Sequence, residues 1–209
     1  MLNAHKSLLA HASHELRTPL TRLRLGVEFF AHKADPKADP QADPQRAQAL
    51  TRDIAELDEL IEEILLASRL DTAAQAPMPE DVDLLALMAE ACAQYDTATF
   101  DGEPVTPRGD ARLLKRMVRN LLENAQRHGA PPIAVALRMN TGKVEIKVCD
   151  QGPGVPDAES ERVFEPFYRR VGASEGGVGL GLALVRQIAR RHGGDALAQG
   201  NCFTVQLPL

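Results

Sequence analysis

Apolar or small residues recur in alternating steps of three and four along the first seventy positions of the chain. The first run is Leu9, Ser13, Leu16, Leu20, Leu23, Val27 and Phe30, and the second is Leu50, Ile54, Leu57, Ile61, Ile64 and Ser68. This spacing is typical of amphipathic helices with a heptad seam. Three Ala-Asp-Pro repeats over residues 34–45 lie between the runs, and proline disfavours a helix interior. The pattern predicts two helices joined by a non-helical connector, as an antiparallel hairpin.

A lone hairpin of this kind leaves one apolar face uncovered. We expect two copies of the chain to cover it by forming a four-helix bundle, which makes the protein a homodimer. The alternative is a hairpin that packs on the rest of its own chain. After Leu70, the sequence Asp-Thr-Ala-Ala-Gln-Ala-Pro-Met-Pro indicates a linker. We therefore divide the chain into a helical domain at 1–72, a linker at 73–79 and a second domain at 80–209.

The second domain mixes helix and strand patterns. Asp83 and Asp110 are each placed to cap the start of a helix, and the runs on either side of Thr141-Gly142 predict a β-hairpin. The predicted helices run from Asp83 to about Tyr95, from Ala111 to about His128, and from Leu180 to Gly193-Gly194. The predicted strands are Ile133–Met139, Lys143–Cys149 and Cys202–Leu207. The fold class is therefore α+β.

Composition narrows the classes of function. Hydrophobic residues make up 44% of the 209 positions and the formal charge is -5, which fits a globular protein and argues against a nucleic-acid binder. No apolar stretch approaches the roughly 18 residues that span a bilayer, and the start lacks the apolar core of a signal peptide, so the chain as given is predicted to be soluble. Cys92, Cys149 and Cys202 are odd in number and far apart, which predicts no disulfide, no metal site and a reducing cytosol.

The first candidate for chemistry is His14, which lies one position past a seam residue. A neutral imidazole is a competent nucleophile at neutral pH. Glu15 is placed to take its proton, and Thr18 lies one turn later on the same face. Pro19 removes a helix hydrogen bond and is expected to bend the helix beside the histidine. On spacing alone, the alternative is a solvated histidine on a helix surface.

The second candidate is the predicted helix that ends near His128. Asn120 and Asn124 are four residues apart and share one face of this helix. Their amide oxygens suit Mg²⁺ that arrives with a nucleotide, and Arg127 is placed to contact phosphate oxygens. The alternative is two polar residues on a surface helix.

Two glycine-rich segments follow. Asp150-Gln151-Gly152-Pro153-Gly154 places a carboxylate at a strand end, before glycines that let backbone approach a ligand. Gly176–Leu182 opens a helix whose free N–H groups favour phosphate. A dinucleotide-binding fold is excluded because its strand-turn-helix context is absent, and the lysine of a P-loop is missing.

Together these segments resemble the sensor histidine kinases of two-component systems, whose ATP-binding domain is of the GHKL (Bergerat) type shared by gyrase, Hsp90 and MutL. The resemblance covers nearly the whole chain and rests on five motifs in the family's order. They are the phosphoacceptor box His14–Leu20, the N box Asn120–His128, the first glycine box Asp150–Gly154, the F box Phe164–Arg169 and the second glycine box Gly177–Leu182. The resemblance implies a dimeric four-helix bundle followed by an α/β-sandwich ATP-binding domain.

The resemblance also implies roles in binding ATP and Mg²⁺. Asp150 would accept a hydrogen bond from the adenine amino group. Asn124 would hold Mg²⁺, with Asn120 assisting. Arg127 and Arg169 would contact phosphates. The full implied nucleotide-binding set is Asn120, Asn124, Arg127, His128, Asp150, Gly152, Gly154, Phe164, Phe167, Arg169, Gly177, Gly179, Leu180 and Gly181. The segment 155–176 would be a mobile lid. The alternative, an ordinary surface loop, is weakened because its phenylalanines need a docking surface.

For catalysis, the resemblance implies ATP-dependent autophosphorylation of His14, assisted by Glu15. The phosphoryl group would then pass to an aspartate in the receiver domain of a response regulator. Thr18 resembles the residue that orients water for dephosphorylation of the regulator. Relatives that hydrolyse ATP carry glutamate at position 120, so Asn120 favours transfer over hydrolysis. Val178 departs from the threonine or serine common there, which predicts reduced nucleotide affinity.

Three further expectations concern context. The family's sensor and membrane segments are absent, so we expect the chain to be the cytoplasmic part of an inner-membrane sensor kinase, with a soluble kinase recruited by a partner as the alternative. The lengthened connector leaves open whether a chain phosphorylates its own histidine or its partner's. Rival functions are an inactive nucleotide-binding scaffold, a chaperone- or topoisomerase-like ATPase, and a structural coiled coil, which the glycine boxes disfavour.

Overall fold

The computed structural model describes residues 20–21, 42–70, 79–170 and 179–209. The chain divides into two compact units, Met1–Ser68 and Arg69–Leu209. No helix within the described residues is long and apolar enough to cross a bilayer.

Helix α1, Ala42–Leu70, makes up nearly all of the described part of the predicted hairpin, and residues 20–21 of the first predicted run are also helical. It begins within the segment predicted as a connector, because Pro44 falls in its first turn, where no hydrogen bond to a preceding carbonyl is needed. Leu57 is buried, whereas Ile54, Ile61 and Leu65 are 44% to 50% exposed. These three exposed residues are seven and four positions apart, so they lie on one face of the helix.

The second unit is built on a five-stranded mixed sheet. Its strands are β2 (Ala98–Gly102), β4 (Ile133–Asn140), β5 (Lys143–Cys149), β6 (Asp195–Gln199) and β7 (Cys202–Pro208). Their order across the sheet is β2-β4-β5-β7-β6, with β2 and β4 parallel and the other pairs antiparallel. The short strands β1 (Glu80–Asp81) and β3 (Arg108–Gly109) form a separate antiparallel pair. The predicted α+β class is confirmed.

The predicted hairpin between β4 and β5 is present. Thr141 and Gly142 both have positive φ, 48° and 76°, which is the conformation of a two-residue turn that matches strand twist. Val144, Ile146 and Val148 alternate along β5 and are buried. The alternation therefore places one face of the sheet in the core.

Three helices pack with this sheet: α2 (Leu84–Cys92), α3 (Ala111–His128) and α4 (Gly181–Arg191). Asp83 caps α2 by accepting from the Ala86 N–H at 3.0 Å, and Asp110 caps α3 by accepting from the Arg112 N–H at 2.9 Å. Both predicted caps are confirmed. Helix α2 ends at Cys92 rather than near Tyr95, where a turn leads into β2.

The expectation of unpaired cysteines is wrong for two of the three. Cys149 and Cys202 are directly opposed on β5 and β7 and are joined by a disulfide, with Cα atoms 4.1 Å apart. The two cysteines are 53 residues apart in the sequence, so the pairing of their strands could not be predicted from their spacing. Cys92 remains a buried thiol, and burial raises its pKa to about 11.

Candidate functional site

Asn120 projects from α3 toward the start of α4. It is only 3% exposed, and its side-chain Nδ2 donates to the Gly181 carbonyl at 3.1 Å. Its Oδ1 is buried and has no hydrogen-bond partner among the described residues. An unpaired buried acceptor costs stability, so its retention indicates a ligand group at this point. Asn124 lies one turn later on α3 and is half-buried.

The start of α4 supplies a second polar feature at the same place. Leu180 precedes the helix and gives its first turn no side-chain cap. The first N–H groups of a helix have no partner within the helix, and together with the helix dipole they favour an anion. The bond from Asn120 to Gly181 thus joins a buried amide to a helix N-terminus that has no side-chain cap from Leu180.

Asp150 stands at the end of β5 and is 5% exposed. Its Oδ1 accepts from the Gly152 N–H at 2.6 Å. Its own N–H donates to the Asn201 carbonyl at 3.1 Å, and the Asn201 side-chain amide donates back to the Asp150 carbonyl. These hydrogen bonds hold both the backbone and the side chain of Asp150.

Gly129 directly follows α3, and the sequence did not predict it as part of the candidate site. A Cβ at this position would lie 2.2 Å from Cγ of Asp150. The φ of Gly129 is -96°, so the backbone conformation itself does not require glycine. The close approach of Asp150 does require it, because any side chain would displace the carboxylate. The signal in the sequence was a glycine directly after the N box.

The glycine box beyond Asp150 is also held closely. Gly154 has a φ of 69°, and a Cβ there would lie 2.7 Å from the Gly200 carbonyl carbon. The next residue, Val155, donates its N–H to the Gly200 oxygen at 2.6 Å. Glycine is needed at 154 for both the positive φ and the close contact. This contact fixes the start of the predicted lid.

A backbone hydrogen bond connects the F box to the second glycine box. The Phe167 N–H donates to the Gly179 carbonyl at 2.9 Å, and both residues have positive φ, 65° and 76°. Phe164 is 6% exposed and its ring contacts that of Phe203 edge-on, with centroids 6.3 Å apart. Leu180 is 1% exposed. Phe164 and Leu180 therefore support the site from within the core.

Basic groups gather at the C-terminal end of α3. Arg127 and Arg169 are exposed, and their charges act on His128. Desolvation lowers the pKa of His128, and the positive charges of Arg127 and Arg169 lower it further. This arrangement offers positive charge to an anionic ligand while keeping the imidazole neutral at neutral pH.

We predict that ATP binding raises the pKa of His128, because phosphate charge opposes the effect of the two arginines. The group's free-state pKa lies below the usual value of about 6.5, so near pH 6 the wild-type chain should take up protons on binding. Calorimetry in two buffers of different ionisation enthalpy measures this uptake. Equal proton uptake by wild type and His128→Gln would contradict the prediction.

The remaining candidates lie outside the described residues. These are the predicted catalytic residues His14, Glu15 and Thr18, together with Gly177. Among the residues that the structure describes, no group of three His, Cys, Asp or Glu side chains is placed to hold a metal ion. The buried Asn120 Oδ1 and the nearby Asn124 do fit Mg²⁺, because amide oxygens are suitable ligands for it.

Family comparisons agree with this arrangement. Residues 109–209 match the family model described as histidine kinase-, DNA gyrase B-, and HSP90-like ATPase. Residues 4–73 match the His Kinase A (phospho-acceptor) domain. The class is thus a phospho-acceptor domain joined to an ATPase-type domain of the GHKL fold.

Individual relatives narrow the class. The sensor protein RstB of Escherichia coli is 34% identical over 218 residues, which cover 99% of this chain and 47% of RstB. The kinase/phosphatase MprB of Mycolicibacterium smegmatis is 37% identical over 198 residues, covering 90% of this chain and 40% of MprB. A solved structure of a mycobacterial sensor histidine kinase MprB is 31% identical, with a TM-score of 0.52, and covers 62% of this chain and 97% of that chain.

A further solved structure shares the fold. The histidine kinase ThkA in complex with the response regulator protein TrrA matches with a TM-score of 0.74 at 21% identity, over 99% of this chain and 62% of that chain. The chain belongs to the sensor histidine kinases of two-component systems. It spans about half the length of the relatives RstB and MprB.

Proposed function

We propose that the chain transfers the γ-phosphoryl group of ATP to His14 and then to an aspartate of a response regulator. The observation that carries the nucleotide site is the buried Asn120 amide, which donates to the Gly181 carbonyl at the start of α4, where Leu180 provides no side-chain cap. Asp150 lies beside Gly129, which directly follows α3 and is nine residues after Asn120. Nine residues of helix rise about 13 Å, which suits a ligand with a base at one end and phosphates at the other.

Within this site each group has one task. The Asp150 carboxylate accepts a hydrogen bond from the adenine amino group. The first N–H groups of α4 bind phosphate oxygens. Asn124 and Asn120 hold Mg²⁺, which neutralises phosphate charge when bound. Arg127, His128 and Arg169 complete the phosphate site.

Close approach of the backbone to the nucleotide is allowed by five glycines, Gly152, Gly154, Gly177, Gly179 and Gly181. The lid and the start of α4 are supported by Phe164, Phe167 and Leu180.

Transfer itself requires a nucleophile in line with the γ-phosphorus. A ring nitrogen of His14 forms a new bond to the γ-phosphorus. The bond between the γ-phosphorus and the oxygen of the β-phosphate breaks, and ADP leaves. Glu15 takes the proton from the imidazole. The rate enhancement comes mainly from positioning and charge neutralisation. A carboxylate that activates water is absent at position 120, which is asparagine.

Two copies of the chain form the functional unit. The exposed face of Ile54, Ile61 and Leu65 on α1 supports a four-helix bundle, since a second copy would cover it. We propose domains at 1–72 and 80–209 with a linker at 73–79, in the cytoplasm. The connection to the inner membrane would be through upstream segments. The TrrA complex of ThkA supports a receiver domain as the second partner.

The test is transfer of label from γ-labelled ATP with Mg²⁺ to the wild-type chain. A phosphohistidine is labile in acid and stable in base, so the product should show both properties and lose its label to a receiver domain. A folded dimer that binds ATP without becoming labelled would instead support the inactive scaffold. Val178 would then be the first residue to replace, with threonine.

We predict that Thr18→Ala separates two activities of the same box. Dephosphorylation of the phosphorylated regulator should fall roughly 10- to 100-fold, because the hydroxyl that orients water is lost. Autophosphorylation should persist, because His14 and Glu15 remain. Both rates are measured with the same regulator, and Thr18→Ser serves as the control that keeps the hydroxyl. Unchanged dephosphorylation in Thr18→Ala would show that Thr18 has another role.

A further inference from the structure

Two cysteines face each other across the strand pair that ends at the proposed adenine site. Cys149 is the last residue of β5 and Cys202 is the first of β7, and a disulfide joins them. The next pair along the same two strands is Asp150 and Asn201, which are held together by two hydrogen bonds. The disulfide therefore closes the strand pair one residue before the carboxylate that accepts adenine.

The pair is also less buried than the third cysteine of the chain. Cys149 and Cys202 are both half-buried, whereas Cys92 is 5% exposed and burial raises its pKa to about 11. The thiolate is the form that reacts with oxidants, so Cys92 stays inert at neutral pH. Oxidation is thus directed to the one pair that can form an intramolecular bond.

The redox conditions of the compartment determine whether such a pair forms a permanent or a reversible disulfide. In a reducing cytoplasm, structural disulfides do not persist, and those that form are transient and sense redox conditions. We propose that Cys149 and Cys202 are a reversible redox site, and that their oxidation fixes Asp150 and increases affinity for ATP. This inference rests on the proposed function, since it concerns the same nucleotide site.

The oxidant is a low-molecular-weight disulfide such as oxidised glutathione. The thiolate of one cysteine attacks its S–S bond, which forms a mixed disulfide and releases one glutathione thiolate. The second cysteine thiolate then attacks the protein sulfur of the mixed disulfide and releases the second. The two cysteines lose two electrons to glutathione, and their two protons end on the released thiols.

The effect on binding follows from the position of the bond. Without it, the ends of β5 and β7 are held at this point by the hydrogen bonds of Asp150 with Asn201 and by the contact of Val155 with Gly200. Ends of strands open more readily than their centres. Opening here displaces Asp150 from the Gly152 N–H, so the reduced chain must reorder the site before adenine binds.

The experiment uses the full chain, equilibrated in glutathione buffers from fully reducing to oxidising. Thiols are trapped with a maleimide and counted by mass spectrometry, and the Kd of a non-hydrolysable ATP analogue is measured by calorimetry in each buffer. We expect a cross-link between residues 149 and 202, and a Kd that is three- to tenfold lower in the oxidised chain. Cys149→Ser should bind as the reduced chain does in every buffer, while Cys92→Ala should keep the response.

Two results would overturn the proposal: no cross-link at any glutathione ratio, or a complete cross-link with Kd values that agree within twofold. A chain that binds no nucleotide in either form would overturn the nucleotide site itself. The three results are distinguishable because the thiol count is independent of ligand binding. Circular dichroism of each variant confirms that the Kd values compare folded proteins.

Discussion

Replacing His14 with glutamine is expected to abolish phosphoryl transfer to the chain, with a loss of roughly a thousandfold or more. Glutamine has a similar polarity but no ring nitrogen with a nucleophilic lone pair. The ATP site consists of residues from the second unit, so nucleotide affinity should remain within twofold of wild type. Label incorporation and the Kd of ATP are measured on the same preparation.

The matched control is His11→Gln, a change of the same type three residues earlier and outside the phosphoacceptor box. It should keep wild-type labelling. Persistent acid-labile label in His14→Gln would assign the acceptor to another histidine. Loss of ATP binding in the same variant would instead show that the substitution damages the fold.

The elements that the sequence predicted well are those with local determinants. Helix α3 has an aspartate cap, an apolar stripe and a glycine at its end, all within about 20 residues. The hairpin of β4 and β5 has a two-residue turn between alternating runs. Strands β2 and β6 were missed because they depend on distant neighbours: β2 pairs in parallel with β4, and the alanine-rich β6 pairs with β7 alone among the described strands.

The same division holds within the candidate site. Asn120 and Asp150 were predictable because polar residues stood out beside apolar runs and glycines. Gly129 and Asn201 were missed because their part in the site is contact with Asp150 from other segments of the chain. The disulfide was missed for a similar reason, since its two cysteines become neighbours only through the order of strands.

Replacing Asp150 with asparagine is expected to remove most ATP binding. The substitution keeps the volume of the side chain and an oxygen that can accept from the Gly152 N–H, so the local fold should survive. It replaces a charged acceptor with an amide that can donate. A hydrogen bond to a charged group contributes about 1.5–3 kcal/mol, which corresponds to a roughly 10- to 150-fold rise in Kd. Autophosphorylation at limiting ATP should fall by a similar factor.

A change of ligand separates loss of recognition from loss of structure. Inosine triphosphate carries a carbonyl oxygen where ATP carries the amino group, so it can accept a hydrogen bond from the asparagine amide. Asp150→Asn should therefore lower the preference for ATP over inosine triphosphate by at least about tenfold. In the wild type the protein accepts a hydrogen bond and ATP donates it, whereas in the variant the protein donates and inosine triphosphate accepts. Asp157→Asn, an exposed acid on the same segment, should leave the preference unchanged. If Asp150→Asn weakens both ligands equally, Asp150 stabilises the fold of the site and does not read the base.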